Sequence, residues 1–166
     1  MAAAKSDQRE EIERTVYRGP DWHGFVYDFT LLNLGAKESC TFRQVFETKC
    51  ESWPSSWSCE MQFQKVSDDG TVSIPVSLRR TDSIGSIVDV RTVLRLRDLN
   101  DRRLFFSWTT EKERNRCGVV IEETLVESIP LQKDRSDFNR TLRINLFIYV
   151  LFCHSPPFNT KSKKRP

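Results

Sequence analysis

His23 and His154 are the only two imidazoles in this 166-residue chain. With five cysteines they are the groups that could hold a transition metal or run nucleophilic catalysis. The cysteines, Cys40, Cys50, Cys59, Cys117 and Cys153, lie 10, 9, 58 and 36 residues apart. No CxxC knuckle occurs, and neither histidine has a third ligand at metal spacing. The sequence therefore predicts no metal site, and two surface or lightly buried imidazoles. Cys153 and His154 would make a thiol–imidazole pair, but neighbours in an extended segment point to opposite faces. Asp68-Asp69 reads as turn chemistry and Glu122-Glu123 as a solvated face rather than as acid–base pairs. The six glycines are scattered and form no phosphate cradle. With no catalytic constellation and no cofactor motif, the chain is expected to be non-enzymatic.

Arg91, Arg95 and Arg97 share one run, with Arg79, Arg80, Arg102 and Arg103 nearby. Such a cluster could face a nucleic acid if aromatics stood on the same face for stacking. The alternating partners are instead Thr92, Leu94 and Leu96, which should point inward. A solvated outer sheet face that discourages edge pairing is the preferred reading, and it disfavours nucleic acid as a partner. The formal charge of +3 has a local origin. Lys161, Lys163, Lys164 and Arg165 carry four positive charges, and residues 1–160 hold 22 basic against 23 acidic groups. The basic balance belongs to the tail, which resembles a short nuclear-localisation patch.

The elements that must position these groups have a period of two. Trp57, Cys59, Met61 and Phe63 alternate with polar residues; Val72, Ile74, Val76 and Leu78 do the same after Ser67-Asp68-Asp69-Gly70. The Asp-Gly pair marks a tight turn, so the two runs form a hairpin. Pro75 cannot donate to a ladder, which suggests an edge strand or a bulge. Phe25 to Leu31 and Val90 to Leu96 alternate too, the latter turning at Leu99-Asn100-Asp101-Arg102 into Leu104 to Trp108. In Leu142 to Leu151 both faces are apolar, as in a central strand covered on both sides. The best helix candidate is a short turn within the acidic stretch Val120 to Ser128.

This pattern predicts an all-β protein, an antiparallel β-sandwich of seven to eight strands. Residues 1–21 should be a flexible lead-in, 22–153 the sandwich, and 154–166 a basic flexible tail. At 38% hydrophobic and 30% charged residues the composition is that of a globular chain. The longest apolar-leaning run, Leu142 to Cys153, is too short to span a bilayer, and no secretory signal opens the chain. Unpaired cysteines then place it in the cytoplasm or nucleus, where Asn139-Arg140-Thr141 has no meaning as a glycosylation site.

Several segments together resemble a known family. Phe29 to Asn33 closes the first strand as Phe-x-x-x-Asn, and Ser56 to Cys59 reads Ser-Trp-Ser-Cys. The Asp-Gly turn leads into Val-Ser-Ile-Pro-Val-Ser-Leu, Val90 to Leu96 precedes Leu99-Asn100, and Thr141-Leu142-Arg143-Ile144 starts the last strand. In order and spacing, from Trp22 to Cys153, this is similar to the MATH (TRAF-C-like) domain that precedes a BTB/POZ domain in speckle-type POZ proteins. The resemblance implies an eight-stranded sandwich that binds extended peptide segments of other proteins in a shallow groove, which in relatives with a BTB domain selects substrates for a cullin-based ubiquitin ligase. It places Pro75 and Leu94 on the groove floor and Asn115, Arg116, Cys117, Gly118 and Val119 along the strand a peptide would pair with. Only Gly118 keeps the family's residue type there; aromatics are usual at the floor and beside that glycine. A Ser/Thr-rich preference should therefore not be transferred. No BTB or RING segment follows, so the chain should occupy or compete for a substrate without recruiting a ligase. Some relatives trimerise through a preceding coiled coil, which makes a self-associating scaffold domain the alternative function, but the lead-in lacks heptads and a monomer is expected.

Overall fold

A computed structural model describes residues 11–98 and 104–154, and only the backbone of residues 104–107. Among the described residues nine strands form two antiparallel sheets. The first contains β1 (Glu13–Arg18), β2 (Trp22–Leu32), β6 (Val88–Arg97), β7 (Leu104–Asn115) and β9 (Thr141–Leu151), in the order β1-β2-β9-β6-β7. The second contains β3 (Ser39–Glu47), β4 (Ser56–Gln64), β5 (Thr71–Arg80) and β8 (Val120–Ser128), in the order β3-β4-β5-β8. Two helices, α1 (Leu34–Lys37) and α2 (Gln132–Arg140), accompany them. The expected sandwich is present, with one strand more than the seven to eight predicted.

Alternation explains the core. Leu142, Ile144, Leu146, Ile148 and Val150 of β9 all reach zero exposure, facing Trp57, Cys59, Met61 and Phe63 of β4 across the interior. Each such side chain contributes about 1.5–3 kcal/mol by leaving water. The hairpin forms as predicted, with Cys59 opposite Leu78 and Met61 opposite Val76. Its turn closes through Gly70 N–H to Ser67 O at 2.9 Å, with Gly70 at φ +86°, where a side chain is disfavoured.

Five expectations need correction. β1 lies within the predicted lead-in; all six of its residues are exposed, so no apolar pattern announces it, and its backbone pairs with β2 from Glu13↔Asp28 to Arg18↔His23. Val120–Ser128 is a strand rather than a turn, pairing with β5 from Thr71↔Ser128 to Arg79↔Val120. β5 is internal, between β4 and β8; Pro75 acts more locally, since the β4 ladder stops at Val76. β9 is central, yet its outer residues Phe147, Tyr149 and Leu151 stay half-exposed instead of being covered. The fifth correction is α2, which has no apolar period. It is anchored by one buried ring, Phe138, and by Arg135, whose Nε donates to Ile129 O at 2.6 Å and whose Nη1 donates to Asp68 O at 3.2 Å in the hairpin turn.

The Leu99-Asn100-Asp101-Arg102 turn, Arg103 and the basic tail cluster lie outside the described residues. No described helix is long and apolar enough to cross a membrane.

Candidate functional site

The seven groove residues do not form one surface. Leu94 faces the core at zero exposure, because it falls on the inward phase of β6. Asn115 is also buried: its Nδ2 donates to Val88 O at 3.2 Å and Lys112 O at 2.7 Å, and its own carbonyl accepts from Arg80 Nη1 at 2.9 Å. Arg116 to Val119 is no strand. It is the tight turn carrying the chain from β7 in one sheet to β8 in the other, closed by Val119 N–H to Arg116 O at 3.3 Å with Gly118 at φ +76°. Arg116, Cys117 and Gly118 are exposed there. Pro75, expected on the groove floor beside Leu94, is instead separated from it, half-buried on the outer face of the second sheet.

Pro75 sits in a shallow depression of about 320 Å3 with Glu60, Gln62, Ser77, Glu122 and Thr124 around it. These side chains converge because three strands present their outward phase together: Glu60 stands opposite Ser77, Ser77 opposite Glu122, and Pro75 opposite Thr124. Glu60 is held by Arg43 at 2.8 Å and Glu123 by Lys112 at 2.7 Å. Glu122 belongs to neither pair and is exposed. The depression borders β8, which ends its sheet, so one row of β8 backbone groups faces away from β5.

The arginines divide. Arg80 is not on a solvated face but buried, with its guanidinium bound to Asp82 at 2.9 and 3.1 Å, Ser86 O at 2.6 Å and Ser86 Oγ at 2.9 Å. Burial pushes the Asp82 carboxyl up, but Arg80 and the Ser56 and Ile84 N–H groups outweigh it and hold it below the usual carboxylate value. Arg91 pairs with Glu111 at 2.9 Å. Arg95 lies 5.1 Å from the centre of the Phe147 ring. Aromatics therefore do share the arginine face: they come from the neighbouring strand, Arg91 standing opposite Tyr149 and Val93 opposite Phe147. Trp22 continues the row, edge-on to Tyr149 at 5.6 Å. The alternation of β6 alone does not show these stacking partners, because they stand on β9.

A second convergence was also missed. His23, Cys50, Cys153 and His154 bring one ligand atom each to within 4.8 Å of one another, the first three buried and His154 partly so. His23 is on the inward phase of β2, paired with Val150, and Cys153 and His154 follow the end of β9 beside it. Phe152 at φ +58° bends that end, so Cys153 and His154 are not neighbours in an extended segment and reach the same spot. Phe152 N–H fixes the bend by donating to Asp21 O at 2.8 Å. Cys50 enters from the β3–β4 connection, which is closed by Thr48 N–H to Ser55 O at 3.0 Å and Ser55 N–H to Thr48 Oγ1 at 2.9 Å. The two Nε2 atoms are 2.9 Å apart. Burial first, then the nearby His154 and Arg18, pushes the His23 imidazole below its usual value. Burial and the neighbouring Cys50 push the Cys153 thiol up to about 12.

Comparison with models of known protein families and with curated proteins finds no match.

Proposed function

We propose that the chain is a non-enzymatic protein-recognition module that takes an extended segment of a partner protein against the outer edge of β8, with the depression at Pro75 selecting a basic side chain. The observation that carries this reading is the coincidence of an unpaired strand edge with an acidic recess one strand further in. Strands lie about 4.8 Å apart, so a Lys or Arg of an added strand passes over Thr124 and brings its charge to Glu122 and the Pro75 ring. Main-chain pairing supplies affinity and the recess supplies selectivity. The resemblance to MATH domains agrees in kind, an extended peptide on a sandwich, but the contact residues differ from those it implied. Occupying or competing for segments that a ubiquitin-ligase adaptor of the MATH type would select is a narrower form of the same proposal.

Screening the full chain against a displayed library of extended peptides tests it. Binders should be enriched in Lys or Arg, and Glu122→Lys should weaken them at least tenfold. Retained binding in Glu122→Lys, with loss in Phe147→Ala, would move the interface to the other sheet.

A second reading rests on the other face. The half-exposed row of Trp22, Tyr149 and Phe147 beside Arg91 and Arg95 suits base stacking on a single strand of nucleic acid. Steep weakening of oligonucleotide binding with salt would favour it, and its absence would remove it.

A further inference from the structure

We propose that His23, Cys50, Cys153 and His154 form a closed Cys2His2 site for one zinc ion, which ties the start of β2, the β3–β4 connection and the chain after β9 into one end of the sandwich.

The geometry has the size of a tetrahedral site. Zinc–nitrogen bonds of about 2.0–2.1 Å and zinc–sulfur bonds of about 2.3 Å set ligand atoms roughly 3.3–3.8 Å from one another. The four ligand atoms already lie within 4.8 Å, and the two Nε2 atoms, at 2.9 Å, need to part by only a few tenths of an ångström. The ligands come from three separate segments, so the fold itself creates the convergence. Nothing in local sequence spacing requires it.

The surrounding groups orient the donors. His154 Nδ1 is 2.7 Å from the carbonyl oxygen of Pro20, which can only accept. The proton is therefore on Nδ1, and the Nε2 lone pair points inward, the arrangement that second-shell carbonyls impose on metal-binding imidazoles. Without metal, His23 Nε2 donates to that lone pair; with metal, the His23 proton moves to its own Nδ1 and Nε2 becomes a ligand. The Trp53 N–H points at Cys50 Sγ from 3.5 Å, a donor that suits a thiolate better than a thiol. Binding releases one proton from each cysteine to solvent, and two thiolates then neutralise the dication. A neutral cluster is what so buried a position tolerates. All four positions are filled by protein and three ligands are buried, so the ion has a structural role, with no open position for a substrate.

Soft thiolates with imidazoles select zinc over magnesium or calcium, and they also accept cobalt, which serves as the probe. Full-length protein, stripped with a chelator under reducing conditions, is titrated with cobalt and then zinc. The proposal predicts one equivalent bound, the intense visible bands of tetrahedral cobalt with thiolate-to-cobalt charge transfer, displacement by zinc, and a rise in Tm. Cys50→Ser and His154→Ala should each weaken binding about 100-fold or more, since even second-shell changes cost 10–100-fold, while Cys117→Ser changes nothing. If Cys50→Ser does not fold, the cobalt spectrum of the unaltered chain still decides. No tetrahedral cobalt spectrum, binding that survives Cys50→Ser with Cys153→Ser, or a Cys50–Cys153 disulfide that persists in reductant would each overturn the proposal.

Discussion

Replacing Arg80 with methionine removes every donor of a buried guanidinium while keeping its aliphatic bulk. The Arg80 side chain has no exposure, and that of Asp82 is 8% exposed. The pair is bidentate, and Arg80 also satisfies the carbonyls of Ser86 and Asn115, so it joins the end of β5 to the segment before β6 and to the β7–β8 turn. In Arg80→Met the Asp82 carboxylate keeps only the Ser56 and Ile84 N–H groups, at 2.9 and 3.0 Å. Breaking a buried pair from one side costs about 3–5 kcal/mol. At 2–4 °C per kcal/mol for a chain of this size, Tm should fall by roughly 6–20 °C. The loss should depend on pH. In the unaltered chain the folded carboxyl has the lower pKa, so its contribution is complete above the unfolded value of 3.8 and disappears as pH falls through the folded value. In the variant the stranded carboxylate titrates higher, and its penalty is relieved once it protonates. Urea unfolding at neutral and at mildly acidic pH should therefore show a difference that shrinks on acidification, and Arg80→Met with Asp82→Leu should recover part of the neutral-pH loss. A cost below about 1 kcal/mol, or one independent of pH, would refute the assignment of this pair as a buried, mutually dependent unit.

Three further outcomes follow from single residues. Gly70→Ala places a side chain at φ +86° and against the Arg135 guanidinium, so chemical denaturation should show a loss of about 1–2 kcal/mol or more. Burial pushes the buried Tyr27 hydroxyl up to about 12 against the opposing pull of the nearby Arg14 guanidinium, and among the described residues no hydrogen bond of good geometry reaches it; Tyr27→Phe should leave stability unchanged or raise it by up to about 1 kcal/mol, and a loss of that size would mean the hydroxyl is bonded, with Arg14 as the partner. A thiol reagent on the native protein should modify exposed Cys117 first and half-buried Cys40 slowly, while Cys50, Cys59 and Cys153 react only on unfolding; burial holds the Cys59 thiol at about 12. Mass spectrometry of timed samples reads this order.

What was legible in the sequence follows from how each element is stabilised. The β4–β5 hairpin and β9 bury strictly alternating side chains, so their residues announce them. β1 is held by backbone bonds to β2 and by Arg14, whose guanidinium lies 5.8 Å from the centre of the Phe25 ring, with six exposed side chains and no apolar pattern to read. β8 reads as a polar turn because Glu123 sits on its inward phase, where Lys112 and the Thr110 hydroxyl of β7 hold its carboxylate. α2 depends on one ring, one arginine clamp and Asn139, whose Oδ1 accepts from Val66 N–H at 2.8 Å. The groove residues fared worst: the order of segments fixes neither the inward phase of β6, which buries Leu94, nor the end of β7 at Asn115, which leaves Arg116 to Val119 in a turn. The four metal-type ligands were invisible for a topological reason. His23 meets Cys153 and His154 only because β2 pairs with β9, and Cys50 joins them only through sheet-on-sheet packing.

The recognition surface is tested most directly by a backbone-amide NMR titration of the full chain with a Lys- or Arg-containing peptide selected from the library. Shifts should concentrate along β8 and at Gln62, Ser77 and Glu122, with new protection of β8 amides from exchange. Shifts confined to Trp22, Phe147, Tyr149 and their neighbours, with β8 unperturbed, would contradict the account.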